Sequence, residues 1–305
     1  MSERRHILKG RRNRRMVWPV ILAVVAILLA ACLAVLTLGQ QTGVPETLQT
    51  AAGHVPAISA GAAILVDAGD GTVLYEYNAD KKMYPAITTK ILSALVVLEL
   101  CEEQNLSLEN ELTVPAEAEG VEGSSLYLKA GERLTLEELM YGLMLQSGND
   151  AAAALGMVMG GGGEEGLEWF VKRMNETAER LGCTGTHFMN PHGLYDEDHY
   201  TTARDLAVIA RAAMQHETFR QIAAAKEWGG QDGTRKFANK NKTVFQYEGG
   251  DGVKIGFTKA SGRTLAASAT RNGTQLIAVV LNDGNWFADA YALLDYGFDR
   301  IGEEG

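Results

Sequence analysis

Apolar and polar residues alternate along this chain with periods that change from block to block. Met16 to Leu38 carries no charge, and an apolar run of that length can cross a hydrocarbon layer as a helix. Gln40 to Pro56 loses the pattern and holds Gly43, Pro45, Gly53 and Pro56, a linker composition. Ala62–Val66 and Thr72–Tyr77 then read as two strands around a Gly69-Asp70-Gly71 turn. Thr88 to Cys101 is apolar on nearly every face, which predicts a central, buried helix. Thr135-Leu136-Glu137-Glu138 is a capping box that opens a helix through about Leu145. Further helices are expected over Ala151–Met159, ended by Gly160–Gly163, and over the amphipathic stretch Glu165–Leu181. Thr202 caps one more, from Ala203 to about Gln215, with Asp205 in its first turn.

Strand patterning returns at Lys254–Thr258, Thr264–Thr270 and Gln275–Asn282, the last two joined by an Asn272-Gly273 hairpin turn. Trp286–Phe298 reads as a closing helix, and no second domain is expected after it. Strands, many helices, strands and a helix give an α/β chain of the α+β kind. The simplest packing is one antiparallel sheet flanked by helices, with a helical lobe inserted. The expected organisation is a basic N-terminus (1–15), an apolar segment (16–39), a linker (40–57) and a folded domain (58–302).

Charge decides how the apolar segment is read. Arg4, Arg5, Lys9, Arg11, Arg12, Arg14 and Arg15 precede it, against Glu3 alone. That asymmetry predicts a cytoplasmic N-terminus and an exported body at the cell membrane. A retained anchor, a cleaved signal peptide and lipid attachment at Cys32 after Leu29-Ala30-Ala31 all stay open. Leu33–Leu38 stays apolar, which argues against the lipid. Of the 28 basic and 38 acidic residues, seven and one lie before residue 40, leaving the rest near −16. Such a body should seek neither nucleic acid nor anionic lipid.

Cys101 and Cys183 could form one disulfide, which nothing in the sequence requires. No Cys/His spacing implies a metal. The glycine run 160–163 follows a helix and lacks a phosphate-loop lysine, so no cofactor is expected.

Three short elements carry candidate chemistry: Ile87-Thr88-Thr89-Lys90, Ser147-Gly148-Asn149 and Lys254-Ile255-Gly256. Their flanks are Tyr84-Pro85-Ala86, Gly123–Leu128, Asp150-Ala151-Ala152, Thr186–Leu194 and Asp251-Gly252-Val253. In this order, from about Ala60 to Phe298, the chain resembles the penicillin-recognising serine peptidases, and among them the D-alanyl-D-alanine carboxypeptidases. The family patterns are Ser-x-x-Lys, Ser-x-Asn and Lys-Thr-Gly.

The resemblance implies a DD-peptidase-like fold and a cell-wall substrate, a peptidoglycan stem peptide or a β-lactam. It implies Lys90 as general base, Ser147 as proton relay, Asn149 as substrate anchor, and Lys254 with Gly256 for the substrate carboxylate. The backbone N–H groups of Ile87 and Phe257 would form the oxyanion hole. His187 and His192 are expected to be structural, and Ser124 and Ser125 to serve the loop.

Two positions depart from the pattern. Ile87 replaces the nucleophilic serine, and Ile255 replaces the threonine of the third motif. Both are expected to put a branched apolar group into one pocket. Thr88 sits about 100° round the helix from Ile87 and should point away from Lys90. Three readings follow: a carboxypeptidase with lost or impaired activity, a pseudoenzyme that binds stem peptides or a cell-wall protein, and a β-lactamase. The last needs a carboxylate such as Glu164 or Glu165, but the flanks are those of the carboxypeptidases.

Overall fold

The computed structural model describes residues 55–230 and 233–304. The basic N-terminus, the apolar segment with Cys32 and most of the linker lie outside these residues. Among the described residues no helix is long and apolar enough to cross a membrane.

In chain order, β1 (Ala62–Asp67) and β2 (Val73–Tyr77) form the first hairpin. A 3-10 turn at Ala86–Thr89 leads into α1 (Lys90–Glu103). β3 (Glu111–Thr113) and β4 (Arg133–Thr135) pair beyond it. Next come α2 (Leu136–Tyr141), α3 (Asn149–Met159), α4 (Gly163–Arg180), α5 (Ala203–Gln215) and α6 (Glu217–Ala224). β5 (Glu227–Gly229) pairs with β6 (Lys236–Ala238), and α7 (Thr243–Gln246) follows. β7 (Gly250–Thr258), β8 (Gly262–Arg271), β9 (Thr274–Leu281) and α8 (Trp286–Glu304) close the domain.

β1, β2, β7, β8 and β9 form one antiparallel sheet in the order β2-β1-β9-β8-β7. The first hairpin therefore joins the last strands, with the helical lobe inserted between them. Strand alternation divides the apolar residues. Ile64, Ala266, Ile277 and Val279 face a core shared with α1 and α5. Leu65, Leu265, Ala267 and Val280 face α8 through Ala290, Leu293 and Leu294. α1 is buried almost all round, from Lys90 through Leu98, as its uniform apolarity requires.

Local signals fix the helix starts. Thr135 Oγ1 accepts from the Glu138 N–H while the Glu138 carboxylate accepts from the Thr135 N–H at 2.9 Å. Thr202 Oγ1 accepts from the Asp205 N–H at 3.0 Å. Several expected bounds needed adjusting. The helix at 165–181 begins at Gly163, β7 starts four residues before Lys254, at Gly250, the α-helix opened at Thr135 ends at Tyr141, and the closing helix runs past Phe298 to Glu304. Cys101 and Cys183 are free, buried thiols.

One polar cluster sits where the domain begins. Ser59 Oγ lies 2.8 Å from Asp283 Oδ1 and 2.9 Å from Asp289 Oδ2, and the Ser59 N–H also donates to Asp289. Asp283 and Asp289 are buried. Burial, with Asp289 adding its charge, holds the Asp283 carboxyl above its ordinary range.

Candidate active site

The three sequence elements meet at one groove between the helical lobe and the edge strand β7. Lys90 starts α1, Ser147 and Asn149 begin the α3 side, and Lys254 lies mid-strand on β7. All four side chains are buried. After α2 the helix widens into a π-type segment at Gly142–Gln146, which ends at Ser147 with φ +63°. Such local irregularity is common at functional sites, and here it turns the Ser147 hydroxyl onto the Lys254 ammonium.

Lys90 Nζ donates to Asn149 Oδ1 at 2.5 Å and to the His192 carbonyl at 2.9 Å. Asn149 in turn donates to the Glu122 carbonyl at 2.6 Å. Both lysines are thus held by neutral acceptors. Burial, then the nearby charge of Lys254, pushes Lys90 well below its ordinary value, against the opposing pull of Asp150. Burial, then Lys240, lowers Lys254 to about 7. Lys240 donates to the Gln146 carbonyl at 2.7 Å, one residue before Ser147. With Lys254 protonated, the groove presents a buried cation held by a neutral hydroxyl, suited to an anionic ligand end.

The turn that carries Ile87 is fixed from several sides. Thr88 donates to the Pro85 carbonyl at 2.5 Å and is buried, so its hydroxyl is committed away from the groove, as expected. Thr89 donates to the Ala86 carbonyl at 2.7 Å and meets His199 Nε2 at 2.8 Å. The Met189 N–H donates to His199 Nδ1, which leaves Nε2 as the donor to Thr89. Burial lowers His199 to about 4, so this imidazole is neutral near pH 7. Gly193, at φ +84°, lies so close that a Cβ would stand 1.9 Å from the Ala86 carbonyl oxygen and 3.0 Å from the Ile87 nitrogen. A Cβ on Gly256 would stand 2.9 Å from the Ile87 nitrogen. Only glycine lets these segments approach so closely. The approach brings β7 against the Ile87 N–H, and as an edge strand β7 turns alternate N–H groups away from β8.

The two isoleucines separate. Ile87 is the one residue of its 3-10 turn that is not buried, and it packs with neither core cluster. Ile255 pairs with Leu265 on β8 and packs with the cluster under α8. The expectation that both share one pocket is therefore corrected. Lys254 and Gly256 face the lobe, so the period of two sends Ile255 to the opposite face of the sheet.

The sequence profile of the D-alanyl-D-alanine carboxypeptidase family matches residues 49–285. The chain belongs to that family. It is 34% identical over 282 residues to a D-alanyl-D-alanine carboxypeptidase of Streptomyces sp. strain K15, covering 87% of this chain and 94% of that protein. DacF of Bacillus subtilis is 32% identical over 244 residues, 78% of this chain. The chain spans 62% of the length of DacF and of DacC from Escherichia coli. The crystal structure of the Streptomyces K15 DD-transpeptidase matches with a TM-score of 0.74 at 33% identity, covering 80% of this chain and 98% of that one. The fold of this carboxypeptidase-family chain is that of the DD-peptidases.

Sequence reasoning missed several parts of the site. His199 stabilises the Ile87 turn but lies 112 residues on in an unremarkable Asp198-His199-Tyr200 run. Asp150 accepts from Ser125 Oγ at 2.6 Å and from the Leu126 and Leu128 N–H groups, so it pins the loop over the groove. Its place directly after Asn149 was the available signal. His187 pairs with Tyr200 through the backbone, a structural role as expected. His192, whose side chain is lowered to about 3 by burial and by Lys90, also offers its carbonyl to Lys90. Glu164 and Glu165 are exposed in the first turn of α4.

Proposed function

We propose that this protein is a peptidoglycan-directed member of its family that holds D-alanine-terminated stem peptides without cutting them at an ordinary enzymatic rate. The observation that carries this reading is the contrast at one groove. Lys90, Ser147, Asn149 and Lys254 are all in place, and the position of attack offers only the hydrocarbon side chain of Ile87. Removing a nucleophile from such a unit typically lowers turnover by about 10⁴- to 10⁶-fold. Thr88 supplies no substitute, because its hydroxyl is bonded to Pro85. The two buried lysines support capture of a terminal carboxylate, and β-lactams, which carry one, should enter the same groove reversibly.

The names of the relatives support a second reading, active hydrolysis of D-alanyl-D-alanine. Labelling the full chain with a fluorescent penicillin and weighing the intact protein separates the two. The wild type should gain no acyl mass and the Ile87→Ser variant should gain it. Acylation of the wild type, or release of D-alanine from a stem-peptide mimic, overturns the holding reading.

The same proposal places the domain outside the cell membrane, tethered through residues 16–39. Support comes from the uncharged run behind seven basic residues. Alkaline carbonate extraction of membranes should leave the protein in the pellet; release into the supernatant would remove the tether from the proposal.

A further inference from the structure

The acidic balance of the chain conceals a local reversal. Between Lys226 and Arg263 there are eight basic residues and four acidic ones, and this segment includes edge strand β7. Several of the cations rest on aromatic rings. Lys226 Nζ lies 5.8 Å from the centre of the Phe245 ring, and Lys242 Nζ lies 5.8 Å from that of Phe287. Phe287 packs on Trp286 at 4.7 Å. The Arg263 guanidinium then sits 5.9 Å from Trp286 and 6.0 Å from Phe257.

These contacts join into one strip. It runs from α7, across the first turn of α8, to the ends of β7 and β8. Phe245 and Phe257, near its two ends, are 52% and 57% exposed. Lys226, Lys242 and Arg263 are exposed, and among the described residues none of them is in an ion pair. β7 separates the strip from the groove, since Phe257 and Lys254 alternate on the strand.

Ring faces and unpaired cations in succession fit an extended polymer whose rings stack and whose substituents are anionic. A purely apolar partner would leave the cations unused. A nucleic acid, with a phosphate on every residue, would meet more repulsion from the acidic remainder of the chain than a polymer with sparser charge. We propose that this strip binds peptide-free stretches of the glycan strand that carries stem peptides elsewhere along its length, where removal of the peptide leaves the sugar carboxylates free. The identity of the polymer rests on the peptide-holding reading above; the strip itself does not.

The test uses the full chain in detergent micelles and fluorescently end-labelled peptidoglycan glycan strands stripped of their peptides, so that nothing can enter the groove. Fluorescence anisotropy should report binding. The Lys242→Glu/Arg263→Glu variant should bind at least about tenfold more weakly, and Phe245→Ala severalfold more weakly, with unchanged melting temperatures. About 0.5 M salt should weaken wild-type binding, and Lys254→Ala should leave it unaltered. Failure of the wild type to bind, equal binding by the charge-reversal variant, or preference for phosphatidylglycerol vesicles or a thymidine oligonucleotide overturns the proposal. Strand binding without stem-peptide binding would sink the holding reading alone; the converse would sink the strip alone.

Discussion

Ile87 and Ile255 are the same residue type at two motif positions, yet they stand in unlike surroundings. Ile87 projects from a turn whose backbone is clamped by Gly193, Gly256 and the Thr89–His199 pair, and its side chain joins neither core. Ile255 is half-buried against the apolar layer under α8. On the proposed reading, Ile87 stands at the position of attack, whereas Ile255 adds apolar packing behind the strand. The difference teaches that a departure from a motif acquires its meaning from the face it occupies, and that these two should not be counted as one event.

The largest effect that can sharpen this comparison is restoration of the hydroxyl. Ile87→Ser should raise the rate of acylation by a labelled penicillin by at least about 10⁴-fold, read by intact mass. A restored serine that stays unlabelled would mean that the remaining groove is not competent. Next in size is Asp150→Ala, which strips the acceptor from Ser125 and from the N–H groups of Leu126 and Leu128. It should cost about 3 kcal/mol in denaturant unfolding and weaken peptide binding through loss of loop order.

The effect of pH comes third. Burial holds Lys254 at about 7 in the folded protein, below its unfolded value. Between about 7 and the ordinary lysine range the unfolded chain therefore binds more protons, and stability should rise with pH across that window. Affinity for a carboxylate-ended peptide should do the opposite and fall as the pH passes upward through about 7. Lys254→Met should flatten both profiles relative to the wild type, as measured by thermal melts and peptide titrations. The smallest effect is Ile255→Thr. It should cost about 1 kcal/mol of stability and leave the protein as unlabelled by penicillin as the wild type is expected to be, because the hydroxyl it adds lies on the face away from the groove.

Much of this architecture could be read in advance, because local physics and tertiary structure agree. The uniform apolarity of Ile91–Leu98, the capping box at Thr135 and the Asn272-Gly273 turn each specify one element. Two of the three motifs lie where such an element starts or ends, and the third lies at the middle of the edge strand that faces them. What stayed hidden depends on distant partners. β3 with β4 and β5 with β6 are three-residue pairs, too short to show a period. α6 begins two residues after α5 ends, with no strong breaker between them. The face of Ile255 follows from pairing with Leu265, not from its own neighbours in sequence. His199 reaches the Ile87 turn only through the fold, and the cation–aromatic strip collects residues from distant parts of the chain whose charges are lost in a whole-chain sum.

The cluster around Ser59 bears on mechanical load. Tension arriving along the chain from the N-terminal side meets Ile58, packed on the layer under α8, and then Ser59. There it is shared with Asp289 on α8 and Asp283 before it reaches β1. The pull then enters the domain through its last helix as well as its first strand. A force sufficient to peel β1 away from β9 must first detach a serine held by two carboxylates. The opening force should therefore fall when Ser59 becomes alanine, while the groove on the far strand, β7, stays intact.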